Sequence, residues 1–184
     1  DAEGKLVDNT TLNELDNIDG GAGQDTLTVL SKDTDGFNSS GITVTNVETV
    51  NVTTAKTLTA NVVKWIGVTQ VNATAAAGDA TVTAAATTSV LAKSSEAAKT
   101  TTVTGGLNVT ASGETVVVSK AAGTVNATGE KAVTINEVAG AITAKATKGT
   151  VTIGNTDAVK GAVTADATGA ITVKGGTVVN LTTT

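Results

Sequence analysis

Two interleaved spacing series constrain this chain more than any other feature. From residue 68 onward a short Val/Ala alternation, a Gly-containing turn and a second short alternation keep returning. The leading apolar residue of the first alternation falls at 71, 90, 107, 125, 142 and 163. That of the second falls at 82, 103, 116, 133, 151 and 171. The two series share one slightly loose period of about 17–18 residues, as stacked coils do when insertions are confined to turns. Antiparallel hairpins would also give short alternating strands with Gly turns. They would not require first and second strands to repeat as separate series. The expected fold is therefore all-β, a parallel β-solenoid with two short strands per coil.

Alternation assigns the faces. Val125, Ala127, Ile142, Ala144, Val163 and Ala165 share one parity, and Asn126, Thr143, Lys145, Thr164 and Asp166 the other. The first set should line the core and the second should face solvent. Aromatics are only 1% of the chain, so the interior is built from Val, Ala, Ile and Leu, which suits a thin core. The abundant Thr is β-branched and favours extended structure like Val. There is no Pro to remove a ladder N–H. Gly123, Gly140, Gly161, Gly175 and Gly176 mark a second set of corners, where positive φ would be useful. Helix signals are poor, with room for one turn over residues 94–99 and another over 10–15.

The early part is less regular. Leu27/Val29, Ile42/Val44 and Val50/Val52 read as strands, and Lys32 to Ser40 as a polar loop. The whole of 1–184 reads as one continuous solenoid segment of a longer protein, because it starts at Asp1 without Met and stops within a Val/Thr pattern. Within it, 1–35 is an acidic calcium-binding-type part, 36–70 holds transitional coils and 71–184 is the regular array. Of the net charge of −5, residues 1–35 contribute nine acids and two Lys, while the rest carries eight acids and ten Lys. Without a basic stripe or stacking aromatics, nucleic acid is not an expected partner. No apolar run approaches the roughly 20 residues that span a bilayer, so membrane insertion is not expected either.

His, Cys, Tyr and Arg are all missing, which removes thiolate, imidazole and disulfide chemistry from this segment. An enzyme is not expected. A polysaccharide-cleaving β-helix would need clustered carboxylates or a metal with a strong base beside a groove. Trp65 reads as a plug where the irregular coils meet the regular array, with a sugar-stacking platform as the alternative.

The most specific local feature is Gly20-Gly21-Ala22-Gly23-Gln24-Asp25-Thr26-Leu27-Thr28. It satisfies every fixed position of the glycine-rich nonapeptide of calcium-binding β-helices. Glycines let the backbone turn tightly and aim carbonyls inward, and Asp25 supplies carboxylate oxygens for a hard cation. Asp16 and Asp19 lie just before the turn. The candidate ligands for Ca²⁺ are therefore Asp16, Asp19, Gly21, Gly23 and Asp25, with Asp33, Asp35, Glu48 or upstream sequence completing the cage. An ordinary Gly-rich turn with a surface Asp is the competing reading.

The run Asp16-Asn17-Ile18-Asp19 through Leu27 is followed by Val44-Thr45-Asn46-Val47-Glu48-Thr49-Val50-Asn51-Val52, and then by Trp65-Ile66-Gly67-Val68-Thr69. Together these resemble repeats-in-toxin-type (RTX) surface-layer proteins and related surface adhesins of Gram-negative bacteria. The resemblance covers roughly residues 12–75 by motif and the remainder by composition and repeat style. It implies a right-handed solenoid, calcium-dependent folding or lattice assembly, type I secretion and an extracellular place on the cell surface. Its implied partners are copies of itself, neighbouring domains of the same protein and cell-surface polysaccharide. The function expected on this basis is a structural component of an S-layer. The alternative is an adhesin segment that binds glycan, a host surface or ice. Outward Thr-x-Thr pairs resemble those of ice-binding solenoids, but the outward set mixes Asn, Lys, Asp and Thr over unequal coils, so a matching flat lattice is not expected.

Overall fold

The computed structural model describes residues 12, 15–32 and 34–183, and no helix occurs among them. Asp1, Glu3, Asp8, Glu14 and Asp33, with most of the turn expected over 10–15, lie outside the described residues. The chain is a β-solenoid of parallel strands. One face stacks nine strands: β2 (Thr26–Ser31), β5 (Thr49–Thr54), β7 (Gln70–Ala75), β9 (Ser89–Ser94), the first halves of β11 (Val109–Ser119) and β12 (Val125–Asn136), β13 (Ile142–Ala146), β15 (Val163–Ala167) and β17 (Val179–Thr183). The second face stacks β3 (Phe37–Asn38), β6 (Leu58–Asn61), β8 (Ala80–Ala84), β10 (Thr100–Gly105), the second halves of β11 and β12, β14 (Thr150–Ile153) and β16 (Ile171–Val173). A third, short ladder joins β1 (Asn17–Asp19) to β4 (Thr43–Thr45), and Thr45 bridges on to Ile66.

Every pairing is parallel, so residues of one column recur once per coil. The column Leu27, Val50, Val71, Val90, Val109, Val125, Ile142, Val163, Val179 points inward through the first face. Its steps of 23, 21, 19, 19, 16, 17, 21 and 16 residues show coils that lengthen without disturbing the strands. Two residues along, Ala73, Ala92, Ala111, Ala127, Ala144 and Ala165 form an alanine column, each nearly or wholly inaccessible. Val82, Val103, Val118, Ile135 and Ile153 complete the interior from the second face. Small alanines in one column and branched residues in the others build the core of this aromatic-poor chain.

Two sequence expectations shift in register. Val90 pairs with Val109, two residues beyond Leu107, which sits exposed at a corner. Val103 pairs with Val118, and Val116 pairs instead with Thr101. A slip of two residues keeps the parity of alternation, so the faces came out right while the counterpart did not. Thr101 is thereby wholly buried in an apolar column. Its Oγ1 donates to the Ser112 carbonyl at 2.7 Å and accepts from the Ser94 N–H at 2.9 Å.

Local expectations also change. The loop from Lys32 to Ser40 contains β3, with Phe37 buried in the head of the second face. Residues 95–99 form a non-helical turn with Ala98 at φ 64°. Gly175 and Gly176 do take positive φ, but Gly123, Gly140 and Gly161 do not. They are glycine because successive corners touch: a Cβ on Gly161 would stand 1.9 Å from the Gly140 carbonyl oxygen, and one on Gly140 would stand 2.4 Å from that of Gly123. Trp65 is a core residue, 7% exposed, with Nε1 donating to the Ile42 carbonyl at 2.9 Å.

Candidate metal centre

The glycine turn lies at the head of the stack, between the short third ladder and β2. β1 delivers Asp19 to its start, and the Gly20 N–H is held by the Thr45 carbonyl one coil away, at 3.0 Å. Gly20 has no room for a side chain, since a Cβ would meet the Asn46 carbonyl oxygen at 2.0 Å. Gly21 and Gly23 take φ of 83° and 130°, values that L residues avoid, and so turn the chain back toward the sheet. The tight turn expected from the nonapeptide is thus formed.

The carboxylates have different surroundings. Asp19 is exposed; its Oδ1 accepts from Asn46 Nδ2 at 2.8 Å and from the Gly21 N–H at 3.0 Å. The Asn46 amide first, and the Gly21 N–H second, hold the Asp19 carboxyl below its ordinary value. Asp16 lies half-buried before β1, and its carbonyl accepts from the Thr43 N–H. Asp25 closes the turn, with its N–H bound by Glu48 Oε2 at 2.7 Å and its carbonyl bound by the Thr49 N–H at 3.1 Å. Its Oδ2 is buried and has no hydrogen-bond partner.

A buried carboxylate oxygen left unpaired carries a desolvation cost that a cation would offset. Oxygen-only donors in a glycine turn also match the hard-cation preference of Ca²⁺. The donor set brought together is partial. The Glu48 carboxylate is held by the Asp25 backbone N–H, Asp19 is committed to Asn46 and Gly21, and Asp35 lies exposed in the following turn. Among the described residues no three His, Cys, Asp or Glu side chains group closely enough to hold a metal by themselves. Further ligands would have to be backbone carbonyls, water or residues outside those described.

No family model, no curated protein and no solved structure matches this chain.

A second polar centre was not anticipated. Where β11 passes from one face to the other, the register shifts between Gly113 and Thr115, and Glu114 turns into the corner. Its side chain is 8% exposed; Oε1 pairs with Lys131 Nζ at 2.5 Å and Oε2 accepts the Ala98 N–H. Lys131 above all, then the Ala98 N–H, lowers the Glu114 pKa, and Glu114 in turn raises that of Lys131. Lys148 pairs with Glu130 on the next coil, and its pKa is raised by that contact. Glu114, Glu130 and Lys148 line a groove of 590 Å³ together with Gly113 and Gly129. Single acids in a Thr-rich array give no periodic signal, and the pairing appears only once the corners are stacked.

Proposed function

We propose that this chain is a structural component of a bacterial cell-surface layer: an extracellular, calcium-stabilised solenoid segment that takes part in lattice assembly with copies of itself or with neighbouring domains. The observation that carries the calcium part is the buried, unpaired Oδ2 of Asp25 at the end of the Gly20–Asp25 turn. Asp25 is the anchoring ligand in this reading, with Glu48 beside it and the carbonyls of Gly21 and Gly23 contributing from the turn; Asp16 and Asp19 supply the negative field around it. The cation would tie the first full strand, β2, to the Asn46–Glu48 segment of the next coil. The surface-layer part is supported by the resemblance over residues 12–75. It is also supported by a lack of His, Cys, Arg and Tyr for catalytic work.

Calorimetric titration with Ca²⁺ on the wild type and on Asp25→Ala, with melting curves in Ca²⁺ and in chelator, tests it. Binding should be seen in the wild type alone, and a saturating excess of about 100 times Kd should add about 2.7 kcal/mol to its stability. Electron microscopy of the same samples should show ordered sheets or strings with Ca²⁺ and none with chelator. Identical, absent heats in both proteins remove calcium from the proposal. Calcium binding by particles that stay monomeric at every concentration removes assembly by this segment alone.

A further inference from the structure

The two sheets present different outer surfaces. On the first, the outward positions include Leu91, Lys93, Lys145 and Asp166, the last two joined by an ion pair of 2.9 Å. On the second, the outward central file reads Thr59, Thr81, Thr102, Val117, Thr134, Thr152, Thr172 in unbroken register. A flanking file reads Asn61, Thr83, Thr104, Ser119, Asn136, and the other flank carries Thr100, Thr115, Ala132 and Thr150. No charged side chain falls within these three files. The unequal coil lengths that argued against a regular lattice are absorbed in the corners, and the shift between Gly113 and Thr115 falls at the edge of the array, beside Thr115.

From this array we infer that the outer face of the second sheet is an ice-binding surface, a fixed lattice of hydroxyl and methyl groups that orders water in register with an ice plane. Parallel stacking sets the spacing between rungs at about 4.8 Å and that between files at about 6.6 Å, which makes a two-dimensional grid. β-branched Thr has a stiff χ1, so each hydroxyl and methyl keeps one orientation. The central-file residues Thr81, Thr102, Val117, Thr134 and Thr152 are only half exposed, because each is flanked by the rung above and below. The Ser119 and Thr104 hydroxyls stand 3.5 Å apart across two rungs. Such a surface holds many waters at little further entropic cost, since the protein groups are ordered beforehand.

Other occupants fit less well. The central file runs roughly 30 Å over its rungs and the flanking files are shorter, so a face about 13 Å across covers less than about 400 Å², under half of the roughly 800 Å² per partner of a standard protein interface. Charge lies only at its edges, with Asp79 accepting from the Thr100 N–H at 2.8 Å and Lys174 beyond the Asn136 end, so a charged ligand finds no counter-charge across its middle. A sugar chain finds no aromatic platform, because Trp65 and Phe37 are both buried. This inference does not depend on the calcium or lattice reading.

The test uses the whole chain with nanolitre cryoscopy and partition into a growing ice front. Melting curves accompany every variant. The wild type should enter the ice and facet the crystals. Thr102→Tyr with Thr134→Tyr, which puts two bulky groups on the array, should lose most of both effects. Thr143→Tyr with Thr164→Tyr, the matching change on the first sheet, should retain them. A folded wild type excluded from ice overturns the inference without recourse to any variant. Equal loss in both folded double variants overturns it too, as does sedimentation showing a wild-type dimer that the second-sheet change dissociates, which would make the face a contact between copies.

Discussion

Glu114 and Asp19 are surface-corner acids whose charge is used inside the fold. Each carboxylate accepts a backbone N–H of a turn and one side-chain donor: Ala98 with Lys131 for Glu114, Gly21 with Asn46 for Asp19. Both pKa values lie below their ordinary 4.5 and 3.8, so the folded state favours the ionised form more than the unfolded chain does. The stability they add is complete above those ordinary values and disappears as pH falls through the lower folded ones. Lys131 and Lys148 shift the other way. Their contribution is complete below the ordinary 10.5 and is lost only as pH rises through the raised folded values. The melting temperature should therefore be flat near neutrality and fall below about pH 4.5. In Glu114→Gln it should be lower at pH 7 and change less on acidification, so that the two curves converge in acid. Parallel curves from pH 7 to pH 3 would show that Glu114 does not carry the acid dependence.

At the scale of the strand, the alanine column decides how close the two sheets lie. Ala127 is wholly inaccessible, stacked between Ala111 and Ala144. Ala127→Leu would insert three carbons where neighbours on the same sheet and branched residues opposite leave no void, and should cost about 1–3 kcal/mol or more. Chemical denaturation would measure it, with Asn126→Leu on the outward side of the same strand as the control expected to change little. Equal effects at 126 and 127 would contradict the assigned faces. The faces were legible in the sequence because period-2 alternation survives any even slip. Register was not, because Val and Thr alternate so uniformly that Val103 fits beside Val116 or Val118 equally well on paper. In the observed register Thr101 lies beside Val116, with its hydroxyl bonded to the Ser112 carbonyl and the Ser94 N–H, contacts that no local spacing announces. The glycine turn was legible as backbone, from Gly20, Gly21 and Gly23. Glu48 was one of several candidates to complete it, but Asn46 was not, since both come from the following coil and no local spacing singles them out.

The whole molecule is a one-dimensional stack with unlike ends. At the head Phe37 and Val29 are buried, and Leu12, Ile18 and Leu27 pack partly against the core. At the tail Val179 and Leu181 occupy inward columns yet remain 41% and 50% exposed, because no described coil follows β17. A coil in such a stack is stabilised by its own residues and by two neighbours, whereas an end coil has one. β11 and β12 add a further tie, since each runs through both faces as an 11- or 12-residue strand and pairs along nearly its full length. In the 184-residue chain taken by itself, opening should therefore begin at the tail and be hardest in the middle. Amide hydrogen exchange should be slowest in β11 and β12, faster in β13 and β14, faster again in β15 and β16, and fastest in β17. Leu181→Asn, which removes apolar surface from a coil already half open, should accelerate exchange in β15 and β17 and leave β7 to β12 unchanged. Uniform protection from β5 to β17, or a Leu181→Asn effect that reaches β7, would mean that the coils open as one cooperative unit. Propagation from the tail would then be wrong even though the stack itself stands.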